Sequence, residues 1–295
     1  MAFDSARSAI AGFFRANHVI PGDTVLCPAY IGWSAREGSG VLDPLIELGL
    51  QVRFYRVEAD LGIDVGHLQE LLATGDIAGV IVIPFFGHIP RGYREAIDSG
   101  QKSGALVLED EAHALLTDLI NGTSGRFGDA AVVSLHKFLP VQKGGAILLN
   151  QRNRSSSIET WQAGSPVLDL LEYDLASIAR QRIANANALF ELLVPLAGLV
   201  DPLWPDCSPD EVLHSFPVVI SSGSRDLLYE RMNGDGYGVI SLYHTLVSAI
   251  SPREFPDSHA LSSRILNLPI HQDIRTDDLQ PMIDRLRIHA QVLSS

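Results

Sequence analysis

The sequence predicts an α/β fold: a large domain built on a mostly parallel sheet, followed by a smaller α+β domain. Short β-branched apolar runs alternate with helical patterns through the first half of the chain, as successive βαβ units require. Apolar residues make up 46% of the 295 positions and charged residues 19%, a composition that can fill a core of that size. The alternation then breaks down in the second half, which marks a change of architecture.

Taken in order, Asp4 and Ser5 stand ahead of Ala9, Ile10, Phe13 and Phe14, an apolar face at helical spacing behind a good N-cap. Pro21-Gly22-Asp23 turns the chain into a strand at Thr24 to Cys27. A helix is expected near Val41 to Leu48, a strand over Val52 to Val57 and a helix near Val65 to Leu72. Val80 to Ile83 reads as a buried strand stopped by Pro84. A helix at Gly92 to Gln101 leads into Ala105 to Leu108, and Ala131 to Val133 and Ala146 to Leu149 complete the set of strands. Gln151 to Ser165 is polar and is expected to be a loop. A long helix, expected from about Leu168 to Leu196, links a large domain over 1–180 to a small one over 181–295. The small domain is expected to hold Val218 to Ile220, a helix near Arg225 to Met232, Val239-Ile240, Ile265 to Leu268 and a last helix from about Thr276.

Composition excludes several classes of function. With 22 basic and 35 acidic side chains the net charge is −13, and no Lys/Arg-rich run is present, so neither nucleic acid nor an anionic membrane is an expected partner. The longest apolar stretch, Ile77 to Gly87, is too short to span a bilayer and is interrupted by Pro84. Two cysteines, Cys27 and Cys207, make no disulfide framework, and the N-terminus lacks a signal-peptide pattern, so a cytoplasmic location is expected. No HExxH, paired CxxC or GxSxG occurs, so neither a metal site nor a serine hydrolase is expected. Gly234 to Gly238 precedes a strand-like run and reads as a turn.

Open parallel sheets take their ligands beyond the carboxyl ends of the strands. Three polar clusters fall there: Glu109-Asp110-Glu111-Ala112-His113, Ser134-Leu135-His136-Lys137, and Ala6-Arg7-Ser8 at the start of the first helix. A carboxylate, an amine and a helix N-terminus with hydroxyl donors are what pyridoxal phosphate needs. The amine binds the cofactor covalently, the carboxylate keeps its ring nitrogen protonated, and N–H and hydroxyl groups hold its phosphate. Each element taken alone is more often a surface lysine, a loop carboxylate or a helix cap.

The order of these motifs adds a resemblance. Leu108-Glu109-Asp110-Glu111-Ala112-His113-Ala114, then Gly128-Asp129-Ala130 and Ser134-Leu135-His136-Lys137 ahead of Gly144-Gly145-Ala146-Ile147, is similar to the core of fold-type I pyridoxal-phosphate transferases. Pro21 to Tyr30 and the segment from Phe255 to His271 resemble stretches of the DegT–StrS family of sugar aminotransferases, so the likeness spans nearly the whole chain. Several features depart from that family. Lys137 follows His136 directly, as in the SxHK of cysteine desulfurases, and the phosphate loop reads Ser5-Ala6-Arg7 without its glycine. The Asn-Arg segment that reaches the partner subunit's phosphate has no counterpart, and the N-terminal arm is expected to be absent.

The resemblance implies that Lys137 is the cofactor lysine, that Asp110 pairs with the ring nitrogen and that His113 lies against the ring or its phenolic oxygen. It implies that Ser134, His136, Arg7 and Ser8 bind the phosphate, with Trp33 as the stacking aromatic and Tyr30 in reserve. Tyr243 and His244 are the expected substrate-side pair. The implied activity is an aminotransferase that passes an amino group from an amino acid, glutamate first, to a keto acceptor of the nucleotide-linked sugar class, as a homodimer. Two alternatives stay open: a desulfurase or related lyase using Cys207 as nucleophile, and a degenerate member that binds without turnover.

Overall fold

The computed structural model describes residues 1–150 and 172–294; the expected loop over 151–165 and the expected start of the long helix lie outside the described residues. Seven strands form the larger sheet: β1 (Ala2–Phe3), β2 (Thr24–Pro28), β3 (Gln51–Tyr55), β4 (Ile77–Val82), β5 (Leu106–Asp110), β6 (Ala130–Ser134) and β7 (Gly145–Leu149). Their order is β1-β7-β6-β5-β4-β2-β3. Strands β2 to β6 run parallel, whereas β7 pairs antiparallel with both β6 and β1. The connection over 135–144 is too short for a crossover helix, so the chain can return only antiparallel.

The helices α1 (Ala6–Ala16), α2 (Leu42–Glu47), α3 (Val65–Leu72) and α4 (Tyr93–Ser103) cover this sheet. The N-cap of α1 is Ser5, whose hydroxyl accepts the Ser8 N–H at 3.2 Å. Its buried face is Ala9, Ile10, Phe13 and Phe14, and each large side chain so buried contributes roughly 1.5–3 kcal/mol. Asp64 caps α3 in the same way by accepting the His67 N–H.

The second part holds α5 (Leu175–Leu193), β8 (Val200–Pro202), β9 (Phe216–Ile220), α6 (Arg225–Gly234), α7 (Pro256–Ser262), β10 (Ile265–Leu268) and α8 (Leu279–Ser294). Its sheet is antiparallel in the order β10-β9-β8. Val239-Ile240, expected as a strand, contributes only a bridge between Ile240 and Asn267. Strands β1 and β8 carry two and three residues, too few to show a periodicity, and neither they nor α7 was expected from the sequence.

Backbone pairing joins the parts beside the carboxyl ends of the strands. The Trp33 N–H donates to the Thr245 carbonyl at 3.0 Å, and the Val247 N–H donates to Ile31 at 2.9 Å. After β4 the chain turns through Phe86 and Gly87, with φ of 58° and 91°. A Cβ on Gly87 would stand 2.5 Å from the Val212 carbonyl, so this turn can lie flat on the segment that enters β9 only with glycine there. Among the described residues, no helix is long and apolar enough to cross a membrane.

Candidate active site

Side chains alternate across a strand, and the end of β5 carries three acids in a row. Glu109 and Glu111 turn to one side, where both meet the Tyr93 hydroxyl, at 2.6 and 3.0 Å. Asp110 turns to the other and lines a cavity of about 710 Å³ at the carboxyl ends of β4, β5 and β6. Among the described residues its one hydrogen bond accepts the Ala112 N–H at 3.1 Å. Burial raises the Asp110 pKa, opposed first by the nearby Lys137 charge.

Lys137 ends the short turn after β6 and enters the same cavity. Its Nζ stands 2.7 Å from His113 Nε2. The protein packed around the amine lowers its pKa against the opposing pull of Asp110 and Glu37. Burial, followed by the Lys137 and His214 charges, holds His113 well below the ordinary imidazole range, so its ring is neutral. His113 stacks on His214 at 4.6 Å and on Phe86 at 5.9 Å, in planes within 15° of parallel. With His113 neutral, Nε2 accepts from the lysine amine, leaving Nδ1 as the N–H; that atom is buried and has no partner among the described residues.

The structure gathers most of the residues singled out from the sequence. Arg7, Trp33, Ser134, His136, Tyr243 and His244 join Asp110, His113 and Lys137 around the cavity. Ser134 Oγ lies 3.3 Å from His136 Nδ1. Trp33 is 46% exposed at the mouth, whereas Tyr30 is fully buried behind Tyr243, with ring centroids 5.3 Å apart. Ser8 is not brought in: its hydroxyl lies 3.1 Å from that of its cap, Ser5, and it lines a separate depression on the outer side of α1. Ser5 itself lines the cavity. A Cβ on Gly145 would run into the Ser5–Ala6 peptide, so β7 can hold the start of α1 at the cavity rim only with glycine there.

His214, Phe86, Glu37 and Ser241 were missed. They arrive from four separate segments, and no local pattern marks them. Cys207 does not line the cavity.

These residues fit pyridoxal phosphate. Among the described residues, four buried side-chain atoms lack a hydrogen-bond partner: Tyr30 Oη, His113 Nδ1, His214 Nδ1 and Arg225 Nε. All belong to the cavity wall or the layer behind it; Arg225, for example, bonds the wall residue Ser241 at 2.7 Å. Orphaned buried groups of this kind mark a place where a polar ligand completes the structure. The Asp110 carboxylate, the amine of Lys137, and Arg7 beside a helix N-terminus line one cavity and are of the kinds that could hold the ring nitrogen, the aldehyde carbon and the phosphate of this cofactor.

Fold and cavity together define a pyridoxal-phosphate-dependent aminotransferase of fold type I. Residues 1–165, more than half of the chain, match the DegT/DnrJ/EryC1/StrS aminotransferase family, and the chain belongs to it. It is 22% identical over 277 residues to the dTDP-4-amino-4,6-dideoxy-D-glucose transaminase of Shigella dysenteriae, covering 82% of this chain and 75% of that one. Among solved structures it resembles a sugar aminotransferase, Spr1654 of Streptococcus pneumoniae, in its PMP form, with a TM-score of 0.80 and 15% identity over 99% of this chain and 86% of the other. It also resembles DesI in the presence of its TDP-sugar product, with a TM-score of 0.78 and 21% identity over 98% and 80% of the two chains.

Proposed function

We propose that this enzyme transfers an amino group from glutamate to the keto carbon of a nucleotide-linked sugar. The observation that carries the reading is the convergence of Lys137 Nζ, Asp110 and His113 on one cavity. The sugar class is supported by the Shigella relative, a transaminase of a dTDP-linked amino sugar, and by DesI, whose product is a TDP-sugar.

Bound pyridoxal phosphate supplies an electron sink for the carbon that loses its proton. Lys137 would hold it through Nζ, and the lowered pKa of that amine keeps more of it neutral and nucleophilic at neutral pH. Once displaced by substrate, the same Nζ would carry the proton away from the α-carbon and return it to the cofactor side. His113 Nε2, neutral and 2.7 Å away, would keep the amine aimed during that transfer. Asp110 would face the ring nitrogen, where a cationic N–H gives its under-bonded carboxylate a partner and holds it ionised. Arg7, Ser134, His136 and the N–H groups at the start of α1 would take the phosphate. Trp33 would cover the ring from the mouth, with Tyr30 supporting Tyr243 from behind. Tyr243 and His244 would meet the substrate, since they reach the cavity from the second part of the chain. The working assembly is a homodimer.

The surroundings of Cys207 weigh against the desulfurase reading that the SxHK order suggests. Cys207 lies outside the cavity, and burial with Glu211 and Asp206 nearby pushes its thiol up to about 12, far from the thiolate such chemistry uses.

Absorption spectroscopy tests the proposal. Added pyridoxal phosphate is expected to give a band that borohydride fixes on Lys137. Glutamate should bleach it with release of 2-oxoglutarate, and a nucleotide-linked keto-sugar should restore it. A band that no amino acid changes would overturn amino transfer and leave a binding protein.

A further inference from the structure

Cys207 has no part in the reaction assigned to the cavity, yet it has company elsewhere. His88 follows the turn after β4, and its Nδ1 lies 2.8 Å from Glu211 Oε2, although the two are 123 residues apart in sequence. The other oxygen of Glu211 accepts the Ile89 N–H at 2.9 Å, which fixes the carboxylate. The His88 ring lies on the Trp204 indole with centroids 4.0 Å apart, and Trp204 is itself tied to the Asp60 carbonyl at 2.8 Å. The imidazole, the Cys207 sulfur and the Glu211 oxygen all come within 4.8 Å of one another. The charges acting on the thiol, Glu211 and Asp206, are both negative. Among the described residues, no lysine or arginine pairs with Glu211.

We propose that His88, Cys207 and Glu211 form a binding site for a divalent cation of the zinc class. Nitrogen, sulfur and carboxylate oxygen are the donors zinc takes, at about 2.0–2.3 Å, and the sulfur selects it over magnesium or calcium. Tetrahedral bonds of that length bring ligand atoms to about 3–4 Å from one another. Binding therefore draws Cys207 inward and replaces the His88–Glu211 hydrogen bond by bonds to the metal, the Nδ1 proton of the neutral imidazole passing to Nε2 through solvent. The thiol proton leaves for solvent as the sulfur–metal bond forms, so affinity rises with pH. Three protein ligands leave the fourth vertex to water, on the side where His88 and Cys207 are part-exposed.

The placement gives the ion a mechanical role. His88 belongs to the turn after β4, whereas Cys207 and Glu211 belong to the segment that enters β9. That same segment carries His214, which stacks on His113 and whose N–H donates to the Phe86 carbonyl at 2.7 Å. A metal there would clamp the two segments whose Phe86 and His214 pack against the cavity residue His113. The site is separate from cofactor chemistry, so it stands or falls independently of the proposed reaction.

The test uses the full chain loaded with its cofactor. The protein is stripped with chelator, equilibrated with Zn(II), gel-filtered and assayed for metal per chain; a parallel sample takes Co(II) as spectroscopic probe. The expected result is one zinc per chain and a four-coordinate cobalt spectrum with a thiolate charge-transfer band. Cys207→Ser and His88→Gln, both at part-exposed positions, are checked for fold by circular dichroism and for an unchanged cofactor band. Each should weaken metal retention by at least about tenfold, and Cys207→Ser should abolish the thiolate band. A wild-type protein that retains no metal, or cobalt bound without a thiolate signature, overturns the proposal. So does retention that neither variant diminishes.

Discussion

The two faces of β5 treat neighbouring carboxylic acids in opposite ways. On one face, Glu109 accepts from the Tyr93 hydroxyl and from the N–H groups of Gly125, Phe127 and Gly128, at 2.6–2.9 Å. Glu111 beside it meets Tyr93 and the Ser124 hydroxyl. On the other face, Asp110 has one hydrogen bond among the described residues and an open cavity in front of it. The saturated face holds the loop over 124–128 against the sheet. The under-bonded face keeps unspent capacity for a ligand, and the cavity in front of it is also lined by His113, whose Nδ1 has no partner among the described residues. Structure and chemistry have thus been separated by the two-residue period of one strand.

The proton count on the saturated face can be taken further. Tyr93 has one proton, and its 2.6 Å contact with Glu109 uses it. One hydroxyl proton cannot serve two carboxylates, so both contacts are satisfied together when one of the two acids is protonated, and Glu111 is the candidate. Burial, followed by the Glu109 charge, raises the Glu111 pKa well above the carboxylate range, in agreement with that count.

Substitutions on the two faces can break this comparison. The largest effect is expected from Lys137→Ala, which should cut amino transfer by about 10³-fold or more while leaving the unfolding midpoint near that of the wild type. Asp110→Asn comes next. It should lower turnover by about 10²-fold, because the ring nitrogen loses its anionic partner, with stability unchanged or slightly raised since a buried charge has been removed. A turnover within a few-fold of wild type would show that Asp110 does not serve the ring.

Glu109→Gln should reverse the pattern. It removes a carboxylate that satisfies four donors, and a cost of about 3 kcal/mol in urea unfolding is expected, with activity per folded molecule largely kept. The smallest effect falls to Glu111→Gln, since an amide mimics the protonated acid; below the ordinary carboxylate range its stability should stay within about 0.5 kcal/mol of the wild type, and at neutral pH the variant should be the more stable of the two. Its signature is the pH dependence. A carboxyl with a raised folded pKa takes up a proton on folding, so it favours the fold below the ordinary carboxylate range and loses that contribution as pH rises towards the raised value. Unfolding midpoints measured across that range should fall in the wild type and flatten in the variant. Parallel curves would place a charged Glu111 in the fold and undo the proton count.

Much of this was legible in the chain. The β-branched runs located β2 to β7 to within a few residues, because a buried parallel strand needs a continuous apolar sequence. The apolar face of α1 and its Ser5 cap were equally plain. Motif order pointed to Lys137, Asp110 and His113, and the structure brings them together. The role of Ser8 was not legible. One serine three residues from another looks the same whether it caps, is capped or faces a ligand, and only the geometry of the first turn placed Ser5 at the rim and Ser8 outside. Trp33 and Tyr30 posed a similar choice, and backbone pairing of residues 31–33 with 245–247 put the first at the mouth and the second behind the wall.

The sequence by itself determined a parallel sheet, the strand ends at which its chemistry gathers, and the separation of Asp110 from Glu109 and Glu111. Those follow from hydrophobic period and side-chain alternation, which are properties of a few consecutive residues. Tertiary packing alone decided that His214 stacks on His113, that Lys137 meets His113, and that Cys207 joins His88 and Glu211 rather than the cavity. Each of those is a meeting of segments distant in the chain, and the distance between them is set by how helices and sheets bury their apolar faces.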